Sequence, residues 1–318
     1  MFKYITQRIL LMILTLFIIL VMTYFLVQSV PGGPFADPTI KPAVRAVLNR
    51  RYHLDQPIWM QFLQYLKGLS HLDFGVSIKV QPQADVFKMI AARFPVTIQL
   101  NLLSNLVILP VGFILGILAA LKKNSIVDHS IQIMVVVFIS VPSFVLAALL
   151  QYIFAYKLGW FPITFSTARH MNLEKLLSMV LPVLALSFGG IAYIARYLRD
   201  ELSEVLNSDF MLLARAKGLT MRQAVVRHAL RNALFPLVGM ILGIFITVLS
   251  GSIVVENVFA IPGTGRLSLA AISSNDYPLV MANVLLYTAI GLFARLILDL
   301  AYGLIDPRVT VGGGKNAE

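Results

Sequence analysis

The sequence predicts an all-α integral membrane protein with six spanning helices. Composition is the first observation: of 318 residues, 58% are hydrophobic and only 13% charged, with a mean hydropathy of +0.82. A soluble domain carries about 25% charged residues. Six long apolar runs are the second, each near the roughly 20 residues that cross a bilayer. The third is the placing of Lys and Arg, which gather in alternate connections between those runs.

The first run, Ile9 to Val30, has no charge and follows Lys3 and Arg8. It is longer than the roughly 7–15 apolar residues of a signal peptide, so a retained span is expected. The others are Thr97 to Leu121, Ser130 to Tyr156, Leu176 to Ala195, Ala233 to Val255 and Leu279 to Leu304. Only the last contains charges, Arg295 and Asp299. Six spans put both termini on one side. Lys122 and Lys123, the basic run from Arg196 to Arg231, and Arg308 with Lys315 lie on that side, so both termini are expected in the cytoplasm. Residues 31–95 carry eight Lys or Arg yet fall outside, as loops of about 60 residues or more do regardless of charge. Three divisions follow: 1–30, the N-terminus and first span; 31–95, an external subdomain; and 96–318, a core with a cytoplasmic segment at 196–232.

Within 31–95, Ala43 to Arg51 and Ile58 to Leu69 read as helices, the second after Pro57. Leu72 to Ser77, "LDFGVS", reads as a turn. Pro110, Pro142 and Pro182 fall inside spans, as kinks or hinges.

The cytoplasmic segment breaks the apolar pattern. Asp209 is placed to cap a helix running to Lys217, and Gly218 suits the left-handed residue that closes it. Thr220 and Gln223 fit a capping box opening a second helix. Gln223, Arg227 and Arg231 recur at i+4 as a wet, basic stripe, with Met221, Val225 and Ala229 opposite. Ala214, Ala216 and Gly218 are small enough for a partner surface to approach closely. Two readings stay open on these residues alone: contact with anionic lipid, or docking to a protein.

The residues that resolve this are "ARAKGL" (Ala214 to Leu219) followed by "RHALRNAL" (Arg227 to Leu234) and Pro236. They resemble the cytoplasmic loop of binding-protein-dependent ABC transporter permeases, in the oligopeptide, dipeptide and nickel branch. "PGGPF" (Pro31 to Phe35), "YHLDQP" (Tyr52 to Pro57), "LDFGVS", "VVENVFAIPGTGRL" (Val254 to Leu267), "NDYPLV" (Asn275 to Val280) and "IDPR" (Ile305 to Arg308) continue the resemblance in order along the chain. Leu212 and Leu213 depart from the general Glu-Ala start of the signature, and Leu72 stands where a Gly is frequent. The resemblance implies the type I importer permease fold in a bacterial inner membrane. It implies that Ala214, Arg215, Ala216, Lys217, Gly218 and Leu219 form a coupling helix against a cytoplasmic ATPase. It also implies the partners: a second homologous permease, forming a heterodimer, two ATPase subunits and an external substrate-binding protein. The substrate implied is a peptide, an oligopeptide first, with dipeptide or nickel as alternatives. Asp73, Gly75, Glu256, Pro262, Gly263 and Gly265 are the expected binding-protein contacts.

Polar residues inside the spans are the pathway candidates: Asn101, Ser104, Asn105, Ser140, Ser143, Ser187, Thr247 and Asn283. Interhelical bonding is the competing role for each. Arg295 and Asp299, at i and i+4, are expected to pair with each other. "GGGKN" (Gly312 to Asn316) lacks phosphate-loop spacing, so ATP hydrolysis is assigned to other chains and the chain is not read as an enzyme. His53, His71, His129, His170 and His228 show no ligand spacing, and no metal or cofactor is expected. A self-contained secondary transporter would carry more buried carboxylates, an intramembrane enzyme a nucleophile and base within the spans. Nucleic acid is not expected, because the basic residues sit at span edges.

Overall fold

The computed structural model describes residues 2–29, 35, 41–51, 53–168, 170–246, 248 and 251–305. Thr247, Tyr52 and the motifs at 31–34 and 306–308 lie outside the described residues.

Fourteen helices are named in chain order. They are α1 (Phe2–Gln28), α2 (Pro42–Arg51), α3 (Ile58–Ser70), α4 (Val86–Ala91), α5 (Phe94–Leu121), α6 (Ile126–Ser140) and α7 (Ser143–Leu150). Then come α8 (Leu173–Leu206), α9 (Asp209–Ala216), α10 (Met221–Ala224), α11 (Leu230–Ile246), α12 (Ile253–Val258), α13 (Thr264–Ser274) and α14 (Tyr277–Ile305). Among the described residues the only β pairing is one bridge, Val76 with Asp85. Among the described residues five helices are long and apolar enough to cross a membrane: Ile5–Gln28, Val86–Leu121, Leu173–Leu206, Met221–Phe245 and Tyr277–Ala301.

The expected third span is not one straight helix. α6 and α7, the latter prolonged by a π-helical stretch Gln151–Lys157, are bent by 102°. Pro142 causes it. A residue before proline is pushed out of the helical region, and Val141 sits at φ −87, ψ 121. Counting the bent pair as one span gives six.

The expected fifth span also moves. Helix begins at Met221, runs through a π-helical turn at Val225–Ala229, and ends at Ile246. Four basic side chains, Arg222, Arg227, His228 and Arg231, hide this start from a hydropathy reading. Ile253 to Val255 belong instead to α12, capped by Ser252. The fourth span continues past Ala195 to Leu206. At 1.5 Å per residue its 34 residues extend about 51 Å.

The chain divides into two compact units, 1–95 with 263–318, and 96–262. These cut the chain differently from the expected division, since residues 31–95 cluster with α1, α13 and α14.

In the 96–262 unit α5 and α8 approach closely. A Cβ on Gly112 would lie 2.8 Å from Ile194 Cβ, and one on Gly116 2.9 Å from the Ala195 carbonyl oxygen. A Cβ on Gly190 would lie 2.7 Å from Ile108 Cδ1. Gly112 and Gly116 form a G-x-x-x-G pair, the spacing that lets helix backbones touch in a membrane. Asp128 joins α6 to α8: Arg199 donates from Nε at 2.7 Å and from Nη2 at 2.8 Å.

In the other unit, α1 and α14 pack together around Tyr24, Val27, Tyr277 and Met281. Phe62 and Tyr65 of α3 pack their rings, tilted, against Tyr24. Asn275, at φ 55, ends α13 in the left-handed conformation. The next residue, Asp276, is 0% exposed and turns its carboxylate on the 77–80 loop. Ser77 Oγ donates to Oδ2, as do the Lys79 N–H at 3.0 Å and the Val80 N–H at 2.9 Å. The Ile78 N–H donates to Oδ1 at 3.1 Å. Successive N–H groups form a concavity for an anion, filled here by a side chain of the same chain.

Candidate coupling and translocation site

The hairpin α9–α10 is built by local hydrogen bonds. The Leu219 N–H reaches the Ala214 carbonyl at 3.3 Å, and the Gly218 N–H the Arg215 carbonyl at 2.9 Å. These are the two bonds of a Schellman closure. Gly218 takes φ 88, a conformation that side chains with a Cβ resist. Thr220 then opens α10 with a complete capping box: its N–H donates to Gln223 Oε1 at 3.0 Å, and Gln223 N–H donates back to Oγ1 at 3.4 Å. One expectation shifts. Ser208, not Asp209, is the N-cap, and Asp209 sits in the first turn, where its charge suits the helix dipole.

The six residues expected to dock do not share one face. Ala214 is buried with Met211 against Leu198, Leu202, Ala224 and Leu237. Leu219 is half-buried on the same cluster. Arg215, Ala216, Lys217 and Gly218 are exposed. Beside them stand the exposed apolar side chains Leu212, Leu213 and Met221. A Cβ on Gly218 would meet nothing within 4 Å, so its surface is open. The hairpin thus presents an apolar ridge edged by cations, held on the core by Ala214 and Leu219. On the second helix Val225 and Ala229 are buried as expected, whereas Met221 is exposed. Gln223, Arg227 and Arg231 are exposed. Arg227, His228, Arg231, Asn232 and Phe235 line a hollow of about 400 Å³.

The pathway candidates separate into two groups. Ser104 Oγ donates to the Leu100 carbonyl at 2.9 Å, and Ser187 Oγ to the Val183 carbonyl at 2.6 Å. Both are buried where α5 meets α8. Asn101 Nδ2 donates to the Val248 carbonyl and Asn105 Nδ2 to the Ile244 carbonyl, each at 3.1 Å. Ile244 lies in the last turns of α11 and Val248 two residues beyond Ile246, so the two carboxamides tie α5 to this stretch. These four side chains are spent on helix contacts. Ser140 and Ser143 are exposed and flank the bend at Pro142. Asn283 is buried on α14 with neither amide atom hydrogen-bonded.

The expected binding-protein contacts also divide. Asp73 and Gly75 are exposed, with Asp73 Oδ1 accepting from the Gly75 N–H at 2.8 Å. Pro262 is half-buried. Glu256 is only 2% exposed, and Thr97 Oγ1 donates to its Oε1 at 3.0 Å. That burial takes Glu256 off the surface, and Gly263 and Gly265 are buried too. Asp299 pairs with Arg295 at 3.6 Å as expected, and with Arg8 of α1 at 3.3 Å, which sequence spacing did not reveal. Among the described residues no group of His, Cys, Asp or Glu is arranged to hold a metal.

The family model described as "Binding-protein-dependent transport system inner membrane component" matches residues 112–311. The chain belongs to this family. The N-terminal model of the same transport components covers residues 1–101 of this permease. Relatives match it over nearly its whole length. The dipeptide transport system permease protein DppB of Bacillus subtilis (strain 168) is 38% identical over 97% of this chain and 98% of its own. The oligopeptide transport system permease protein OppB of Escherichia coli (strain K12) is 38% identical over 97% of this chain and 99% of its own. Among solved structures, a chain of the inward-facing MetNI methionine ABC transporter superposes with a TM-score of 0.54 at 19% identity. The superposition covers 69% of this permease and 97% of that chain, a likeness of fold.

Proposed function

We propose that this permease forms half of the pathway of an ATP-driven importer of peptides, oligopeptides or dipeptides. The observation that carries the substrate class is the near-full-length similarity to both OppB and DppB permeases. A second permease completes the pathway, two ATPase subunits supply the energy, and a binding protein delivers the peptide. The α9–α10 hairpin faces the cytoplasm with both termini and seats its ridge on the ATPase. Segments around Asp73 and Pro262 face outward.

The mechanism is a two-state gate. ATP draws the two ATPase subunits together and moves the hairpins with them. Because α10 runs without a break into the fifth span, a displacement at Gly218 is delivered directly to the helix that lines the pathway. Each state must bind its ligand differently for the cycle to advance. Ser140, Ser143 and Asn283 are the side chains we assign to the pathway, on their exposure or their unfilled hydrogen-bonding capacity. Few fixed contacts suit a carrier of varied peptides.

The test is reconstitution with its partner permease, ATPase and binding protein in liposomes. ATP-dependent uptake of tri-alanine is expected, and none without the ATPase. Uptake driven by an ion gradient in the absence of ATPase refutes the proposal.

A further inference from the structure

The basic stripe at the start of the fifth span is used neither by the gate nor by the hairpin ridge. Arg227, His228, Arg231, Asn232 and Phe235 line a hollow of about 400 Å³, and all five are exposed. They form the outer face of one helix. Its inner face is Val225, Ala229, Ala233 and Leu237, buried at intervals of four. The π-helical turn Val225–Ala229 carries Arg227 and His228, and single π turns inside helices recur at functional sites.

Three features define what fills the hollow. The first is charge. No carboxylate lines it, and among the described residues none of Arg227, His228 and Arg231 forms an ion pair. Two guanidinium groups with a carboxamide beside them supply the donors that phosphate oxygens accept. The second is depth. Helix from Met221 to Phe245 has 25 residues, about 38 Å, which exceeds the roughly 30 Å hydrocarbon layer. Ala233 to Phe245 carries no charge, so the surplus falls at the Met221 end and sets Arg227 and Arg231 at headgroup level. The third is Phe235, one turn beyond Arg231 and 50% exposed, a ring placed where acyl chains begin.

We propose that this hollow binds an anionic phospholipid. Arg227 and Arg231 clasp the phosphodiester oxygens, Asn232 donates beside them, and Phe235 packs against the upper part of a chain. A soluble anion would have no use for the ring. The rim of the ATPase is disfavoured by distance: Arg231 stands about 15 Å along the helix from Met221, at the exposed ridge. The bound lipid ties the start of the fifth span to the membrane surface, where motion of the hairpin enters it. The site goes beyond the transport reading and does not depend on what is carried.

The chain has no cysteine, so Phe235→Cys carries a single bimane, its rings taking the place of the phenyl. The assembled importer, with cysteine-free partner chains, is placed in phosphatidylcholine nanodiscs at physiological salt. Part of the lipid has brominated chains, either as phosphatidylglycerol or as phosphatidylcholine. Half-quenching is expected at a phosphatidylglycerol fraction lower by about tenfold or more, from two arginines at the surface. Arg227→Gln with Arg231→Gln is expected to bring the two lipids within about twofold of each other. Arg215→Gln with Lys217→Gln removes the same charge from the hairpin tip and is expected to leave the preference standing. No preference for phosphatidylglycerol overturns the proposal. A preference lost equally in both charge variants overturns it in favour of a diffuse basic field. One abolished by millimolar inorganic phosphate overturns it in favour of a soluble anion. One that appears only when the ATPase is left out overturns it in favour of a surface covered by that subunit.

Discussion

Asp276→Ala is expected to open the 77–80 loop. The carboxylate accepts from Ser77 Oγ and from the N–H groups of Ile78, Lys79 and Val80, with no exposure to solvent. Hydrogen bonds to a charged group contribute about 1.5–3 kcal/mol each, but four on one buried ion do not add. Removing one side of a buried charged contact costs about 3–5 kcal/mol. Each 1.4 kcal/mol is a factor of ten, so the open population of the loop is expected to rise between about a hundredfold and a few thousandfold. Trypsin reports this directly, because Lys79 lies inside the bonded loop. When reclosing is faster than cleavage, the cutting rate follows the open population. Asp276→Asn keeps one acceptor oxygen and turns an NH₂ towards a backbone donor, so an intermediate loss of about 1–3 kcal/mol is expected. Cleavage at Lys79 accelerated less than about threefold by Asp276→Ala would refute the reasoning, since that corresponds to well under 1 kcal/mol.

Three further outcomes follow from single contacts. Gly116→Val drives a Cβ to 2.9 Å from a backbone oxygen, so a loss of about 1–3 kcal/mol or more is expected in thermal melts, whereas Gly189→Ala, with nothing within 4 Å, is expected to be silent. Arg295→Ala is expected to cost at most about 1 kcal/mol, because Arg295 is 71% exposed and Arg8 still faces Asp299. Arg8→Ala with Arg295→Ala is expected to exceed the sum of the single losses, a coupling read from a double-mutant cycle in melting temperature. Gly218→Val is expected to strain the φ 88 turn by about 1–3 kcal/mol and to depress uptake, with Gly218→Asn retaining more because Asn tolerates that conformation.

Much of this architecture is written locally. The apolar runs gave α1, α5 and α14 to within a few residues, except for the earlier start of α1. Turn chemistry gave the hairpin, since Gly218, Thr220 and Gln223 act within a stretch of six residues. What stayed hidden depends on distance or on mixed signals. Arg222, Arg227, His228 and Arg231 broke the hydropathy of the fifth span while leaving its helix intact. Pro142 was visible as a kink, but the 102° bend also needs Val141 extended. Ser104, Ser187, Asn101 and Asn105 read equally well as pathway or helix contacts. Their acceptors, the carbonyls of Val183, Ser104, Ile244 and Val248, are helix contacts that the sequence does not reveal. Asp276 meets its partners nearly 200 residues away in sequence, and Asp128 meets Arg199 across 71. No periodicity signals either pair. G-x-x-x-G at Gly112 and Gly116 was a legible signal for the close approach of α5 and α8.

The account turns on the exposed ridge of the α9–α10 hairpin being the seat of the ATPase. A single cysteine at Lys217, in a chain that has none, permits a direct measurement: disulfide cross-linking to cysteines placed on the ATPase surface, in a complex still able to transport. The account predicts a cross-link from position 217, a second from Leu212, and none from the buried Ala214. A transporting complex that yields no cross-link from either exposed position contradicts it.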